Sequence, residues 1–220
     1  TEMSSSAVRE ARTRVQMIFQ DPVSSLNPRR SVRDSVLEPL EIWKRGTKEE
    51  RNKLVDEILE SVGIDPARAA ESTPHPFSGG QCQRISVARA LVLDPTLIIC
   101  DEPVSALDVS VQAQVLELLK ELRDEMGLSY LFISHDLTVV ADLADRVAVM
   151  RRGRVLEEGP ARLLFTNPTH PYTRALIAAS PEPDLNRRLD LAAVARGAGH
   201  ADPAAAAGDR GGAGCGAGEP

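Results

Sequence analysis

Aromatic side chains are scarce in this chain, with one tryptophan, two tyrosines and four phenylalanines among 220 residues. A core must therefore be filled by aliphatic side chains, which the 42% hydrophobic content can supply for an ordinary globular body. No apolar run approaches the roughly 20 residues that a membrane-spanning helix needs. The start lacks a basic segment followed by an apolar one, so neither a signal peptide nor a transmembrane helix is expected. Any membrane role is expected to come through a partner. Cysteine is scarce too: Cys82, Cys100 and Cys215 are odd in number and scattered without metal-like spacing. A reduced cytosolic protein with no disulfide or zinc framework is the plain expectation. Basic charge is also short, 26 Lys and Arg against 32 Asp and Glu for a net charge of -6. That balance argues against a general binder of nucleic-acid backbones, although it leaves room for a local basic patch.

What the chain does contain is a regular alternation of apolar patterns. Residues 1–13 are polar and read as an irregular start. Val15 to Phe19 form a short apolar strand, and Gln20-Asp21-Pro22 takes the chain out of it into a loop. From Ser31 to about Ala90 the pattern is helical. Thr47 and Glu50 have capping-box spacing, Leu54, Val55, Ile58, Leu59 and Val62 share one face, and Gly63 is placed to end that helix. Ser78 opens another helix, with Gln81 as a second capping-box partner. Leu97 to Cys100 is a continuous apolar run, as expected of a central parallel strand buried on both faces. Asp108 caps a helix carrying Val111, Val115, Leu118, Leu119, Leu122 and Met126. A strand at Tyr130 to Ile133, a helix from Leu137 and a hairpin turning near Arg152-Gly153 follow. Strand and helix alternate, so the fold class is α/β with a parallel sheet. Two short helices are expected over 160–179. From residue 181 onward proline, charge, alanine and glycine dominate, and disorder is expected because little apolar surface is available to offset chain entropy.

Several residues suit chemistry better than packing. Gly79 and Gly80 at a helix start free backbone N–H groups where the helix dipole is positive, and the Ser78 hydroxyl lies beside them, a combination suited to phosphate. A capped helix after a glycine turn is the plainer reading of that tetrapeptide. Asp101 ends an apolar strand, where a carboxylate is hard to explain as packing and easy to explain as a Mg²⁺ ligand. Glu102 beside it could polarise an attacking water. His135 follows another strand and would reach the same sheet edge, where it could contact a terminal phosphate, though a lone histidine is more often structural. Gln20, at a third strand end, could touch metal or water. Asp136 is most simply a helix cap.

Taken in order, Gln20, Ser78-Gly79-Gly80-Gln81, Asp101-Glu102, Ser105-Ala106-Leu107-Asp108 and His135 resemble the Q-loop, signature motif, Walker B motif, D-loop and H-loop of the ATP-binding subunit of ABC transporters. The resemblance covers about residues 14–180. Gln20 to Pro28, Glu38-Pro39-Leu40 and His170-Pro171-Tyr172-Thr173-Arg174-Ala175-Leu176 look like the oligopeptide/dipeptide importer branch, whose relatives also carry nickel or other small solutes. The resemblance implies a P-loop NTPase fold, here N-terminally truncated, with a partial ABC ATPase domain over 14–159, a helical subdomain at about 28–92 and a C-terminal extension over 160–180. It implies ATP and Mg²⁺ as cofactors, Glu102 and His135 as catalytic, and Asp101 and Gln20 at the metal. Gln20, Ser78, Gly79, Gly80, Gln81 and Asp108 would be at nucleotide. It also implies permease subunits, a second ATP-binding subunit and, indirectly, a solute-binding protein as partners at the cytoplasmic face of the membrane, with no nucleic acid. Cys82 stands where this branch has a basic residue. Some members bind an iron–sulfur cluster through cysteines in the extension, and with only Cys215 in the tail none is expected here.

One expected motif is not in the sequence: Gly-x-x-x-x-Gly-Lys followed by Ser or Thr, the loop that holds nucleotide phosphates and precedes the Gln20 strand in the family. Either a fragment of a longer product or a natural truncation would account for this. The expectation is that the full-length relative hydrolyses ATP and that this chain alone does so weakly or not at all. A catalytically inactive remnant or regulatory subunit is a second reading. A soluble ABC ATPase of DNA repair or translation is a third, disfavoured because long coiled coils, zinc-binding cysteines and basic linkers are not seen.

Overall fold

The structure is a computed structural model that describes residues 4–180; the expected disorder after residue 180 and Cys215 fall outside them. The described chain forms two compact units that meet in sequence between His135 and Asp136.

The first unit is built on three parallel strands in the order β1 (Val15–Ile18), β2 (Leu97–Asp101), β3 (Ser129–Ile133). Val15 pairs with Leu97 and Leu97 with Ser129, and Ile18 pairs with Cys100 and Cys100 with Phe132. In-register residues of a parallel ladder share a face, so the sheet has one face of Gln16, Ile18, Ile98, Cys100, Tyr130 and Phe132. The core lies on that side: Ile18, Ile98 and Cys100 are buried, and the Tyr130 hydroxyl donates to Leu119 O at 3.0 Å. The opposite face is open. Leu97 and Ile99 are half-exposed, and Val15, Met17, Leu131 and Ile133 are exposed. β2 is therefore covered on one face only, contrary to the expectation of burial on both, because no element of the first unit packs on the second face.

The start is not irregular as expected. α1 (Ser5–Arg14) is a helix capped by the Ser4 hydroxyl, which accepts Ala7 N–H, with Arg12 and Arg14 in its last turn, where cations suit the dipole. The Arg9 guanidinium stacks over Trp43 at 5.2 Å. Asp21-Pro22 also opens a one-turn helix, α2 (Pro22–Ser25), rather than a bare loop. Proline at the first helical position loses no helical bond, and Asp21 accepts from Val23 and Ser24 N–H.

Helices α3 (Val32–Ile42), α4 (Lys48–Ser61) and α5 (Pro66–Glu71) follow, then α6 (Gly79–Leu91). Both capping boxes form, Thr47 with Glu50 and Ser78 with Gln81. Val55, Leu59 and Val62 are fully buried on the α4 face, whereas Leu54 is exposed. Gly63, at φ 73°, ends α4 where a side chain would be strained. Cys82 is buried, its thiol 3.7 and 3.8 Å from Pro74 O and Phe77 O. Burial pushes its pKa up, so it behaves as a small core residue. After β2, α7 (Val109–Met126) buries Val115, Leu118, Leu119 and Leu122 and ends at left-handed Gly127.

The second unit contains α8 (Leu137–Leu143), capped by Asp136 as expected, and an antiparallel hairpin of β4 (Arg146–Arg151) and β5 (Arg154–Pro160). Then come α9 (Ala161–Thr166) and α10 (Pro171–Ala179). The hairpin turns at Arg152 and Gly153, both at positive φ, the signature of a tight two-residue turn. Among the described residues no helix is long and apolar enough to cross a membrane.

Candidate functional site

Parallel strands deliver their C-terminal ends to one sheet edge, and here that edge collects Gln20, Asp101, Glu102 and His135. Glu102 is the hub. Its Oε2 accepts the Gln20 Nε2–H at 2.9 Å, and its Oε1 lies 3.0 Å from His135 Nδ1. The carboxylate is therefore held from both sides by residues 82 and 33 positions away in sequence.

The backbone of Glu102 is equally constrained. It sits at φ 44°, a left-handed conformation costly for any residue with a Cβ, on the order of 1–3 kcal/mol. Its N–H donates to Ile133 O at 3.0 Å, tying it to the end of β3. Its carbonyl accepts Ser105 N–H and hydroxyl at 3.2 and 3.1 Å. A strained residue kept by that many bonds is a residue whose side-chain direction matters.

Asp101 is the last residue of β2 and half-exposed. It lines a cleft of about 370 Å³ with Phe19, Gln20, Asp21, Ser24 and Ser25. Among the described residues no hydrogen bond or ion pair engages its carboxylate. Asp21 is committed elsewhere: the Ser24 backbone bond, then the Ser24 hydroxyl, hold its pKa below the usual carboxylate range. It caps α2 as an anion.

The other expected residues form a second group. Ser78 and Gly79 are exposed at the start of α6. Ser78 Oγ accepts Gln81 N–H at 3.3 Å while Gln81 Oε1 accepts Ser78 N–H at 3.1 Å, so both side chains are occupied in capping. Gly79 lies where an added Cβ would sit 3.5 Å from Leu107 Cδ2. A Cβ on buried Gly80 would drive into Val111 Cγ1. Glycine at residue 80 is therefore a packing requirement that lets the starts of α6 and α7 meet. Asp108 caps α7, accepting Val111 N–H at 3.0 Å and the Ser110 hydroxyl at 2.8 Å. The Val111 backbone bond, then the Ser110 hydroxyl, hold its pKa low. No hydrogen bond among the described residues joins Ser78–Gln81 to the Gln20–Glu102–His135 group; the turn from Glu102 through Ser105 to Leu107 connects the two.

Arg89 was not among the expected residues. From α6 it donates through Nη1 and Nη2 to Ser25 O and Ser25 Oγ, and Ser86 Oγ lies 3.3 Å from Ser25 Oγ. These bonds brace the Gln20–Ser25 segment against the helix that begins at Ser78. Desolvation lowers the Arg89 pKa while Glu38 opposes the shift. An arginine amid the apolar run Ile85, Val87, Ala88, Leu91 was the available signal.

Comparison with known proteins gives the family. The family model described as "ABC transporter" matches residues 1–105, and that described as "Oligopeptide/dipeptide transporter, C-terminal region" matches 156–215. A solved ATP-binding cassette, a dimer in a post-hydrolysis state with ADP and Pi, is 30% identical with a TM-score of 0.62, over 73% of this chain and 69% of that one. The chain belongs to the ABC transporter ATP-binding family. Another ABC neighbour, CbiO1 of Clostridium perfringens, described as part of the transporter complex CbiONQ, is 30% identical with a TM-score of 0.67 over 76% of this chain and 64% of that one. Among curated ABC relatives, the oligopeptide transport ATP-binding protein OppF of Bacillus subtilis is 54% identical, over 80% of this chain and 57% of its own length. OppF of Salmonella typhimurium is 51% identical over 83% and 55%. The dipeptide transport ATP-binding protein DppF of Haemophilus influenzae is 51% identical over 80% and 54%. The chain thus spans a little over half the length of the curated relatives it matches.

Proposed function

We propose that this chain is the ATP-binding, ATP-hydrolysing subunit of an ABC importer for oligopeptides or dipeptides, or for related small solutes such as nickel. The observation that carries the reading is the assembly of Gln20, Glu102 and His135 beside Asp101 at one sheet edge. In this reading Glu102 is the general base that takes a proton from the attacking water. His135, hydrogen-bonded to Glu102 through Nδ1, presents its other ring nitrogen toward the terminal phosphate and keeps the carboxylate aimed.

The donor set fits Mg²⁺, which takes one or two carboxylates and fills its remaining positions with water and phosphate oxygens. Asp101 offers an unengaged carboxylate, and Gln20 offers its amide oxygen while its N–H₂ serves Glu102. Among the described residues no cluster of three or more His, Cys, Asp or Glu is poised to hold a metal, so any ion here depends on phosphate oxygens for the rest of its shell. When bound, Mg²⁺ would neutralise charge developing on those oxygens.

The exposed start of α6, with Ser78, Gly79, Gly80 and Gln81, and Asp108 at the start of α7 would face the nucleotide of a second ATP-binding subunit in a head-to-tail pair. The partial ATPase domain over 14–159, the helical subdomain at about 28–92 and the extension over 160–180 belong to the same proposal. So do docking on permease subunits at the cytoplasmic face of the membrane, delivery by a solute-binding protein, and the exclusion of nucleic acid as a partner. With no Gly-x-x-x-x-Gly-Lys segment in these 220 residues, the chain alone hydrolyses ATP weakly or not at all.

The test is peptide uptake and ATPase rate in proteoliposomes holding the complete transporter. In a transporter whose copy of this segment follows a phosphate-binding loop, Glu102→Gln lowers both by about 10²-fold or more, the range for losing a general base. Unchanged hydrolysis in that variant, or hydrolysis not stimulated by any peptide, overturns the reading.

A further inference from the structure

The segment Thr169-His170-Pro171-Tyr172 takes no part in the site above, yet it is tied more densely than its surface position requires. Glu157 on β5 is the anchor. Its Oε1 accepts the Thr169 backbone N–H at 2.7 Å and the Thr169 hydroxyl at 2.8 Å, and its Oε2 accepts the His170 backbone N–H at 3.1 Å. His170 caps α10, its Nδ1 accepting Tyr172 N–H at 3.0 Å, and Pro171 occupies the first helical position. The Arg151 guanidinium of β4 lies 4.7 Å over the Tyr172 ring. Consecutive residues thus reach both strands of the hairpin.

A carboxylate facing the free N–H groups at a helix start is favoured by its hydrogen bonds and by the helix dipole together. Desolvation pushes the Glu157 carboxyl up, but the neighbouring polar groups, among them the Thr169 and His170 donors, outweigh it and hold the group at about 2 against an ordinary 4.5. The Thr173 hydroxyl is buried without a hydrogen-bond partner, and the bonds formed are those from Thr169 and His170.

We propose that Glu157 is the fastener of the C-terminal helix: its carboxylate fills the donor nest of Thr169 and His170, straps α10 to the β4–β5 hairpin, and lets α10 loosen as a unit when that one charge is removed. A nine-residue helix does not persist in water alone. Its order therefore comes from tertiary contacts, the burial of Thr173 and Ala175 together with the bonds that hold its start. The strap is local to the second unit and stands whether or not the ATPase reading does.

Hydrogen exchange on the full chain tests it, comparing the wild type with Glu157→Gln and Thr169→Val. In Glu157→Gln, exchange over 171–179 accelerates roughly tenfold or more while 79–126 is unchanged. Thr169→Val, which removes the hydroxyl donor and keeps the N–H, gives a smaller acceleration of the same segment. Unchanged exchange over 171–179 in Glu157→Gln overturns the strap, and so does a uniform acceleration along the chain. A second measurement follows the amide protons of Thr169 and His170 through an acid titration. The folded carboxyl is depressed, so the strap is fully present above 4.5 and is lost as pH falls through about 2. A midpoint near 4.5 for both amides removes the argument.

Discussion

On one face of the three-stranded sheet Ile18, Ile98 and Cys100 are at most 1% exposed, while on the other Met17, Leu131 and Ile133 keep 36, 53 and 46% of their surface in water. The two sets alternate along the same strands and are equally apolar, so residue type does not separate them. Cover does. The Tyr130 hydroxyl bonded to Leu119 O shows α7 lying over the buried face, and α6 packs against β1 there. Parallel sheets are ordinarily covered on both sides. An apolar run declares a strand fit for double burial without declaring how much of its cover is at hand.

That difference sets the size of mutational effects. Ile98→Ala, on the covered face, leaves a cavity among packed neighbours and costs about 2–5 kcal/mol in denaturant unfolding. A cost no larger than that of a surface change would break the contrast between the faces. A smaller loss is expected within the cover itself: Gly80→Ala forces a methyl into Val111 and costs about 1–3 kcal/mol, with part of the loss recovered when Val111→Ala is added. Failure of the double variant to recover would mean that glycine is needed there for something other than the approach of α6 to α7. The smallest effect belongs to the open face. Leu131→Ser shifts stability by no more than about 0.5 kcal/mol and lowers binding of a hydrophobic dye, because an exposed leucine loses little that water had not already taken. A drop of several kcal/mol would show that the face is covered after all.

Much of the candidate site was readable because its parts are short and local. Ser78 with Gln81, Asp108 before an apolar helical stripe, and Asp101 at the end of Leu97 to Cys100 announce a cap, a cap and a strand end within a few residues each. The hairpin turn at Arg152-Gly153 was equally plain. The helical starts at Ser5 and Pro22 were not, since weak caps on polar segments compete poorly with a loop reading until Arg9 meets Trp43 and Ser25 meets Arg89. The left-handed backbone of Glu102 had no local signal either. It is held by bonds to Ile133 O from the neighbouring strand and from Ser105.

Capping, periodicity and turn preference act over three or four residues, so most of the elements and the roster of chemical groups were legible in the sequence alone. Only the tertiary structure decided that Gln20 and His135 grip the same carboxylate from 82 and 33 residues away. It alone left one apolar sheet face bare. These outcomes depend on strand order and on which surfaces find a partner, and no local pattern carries that information.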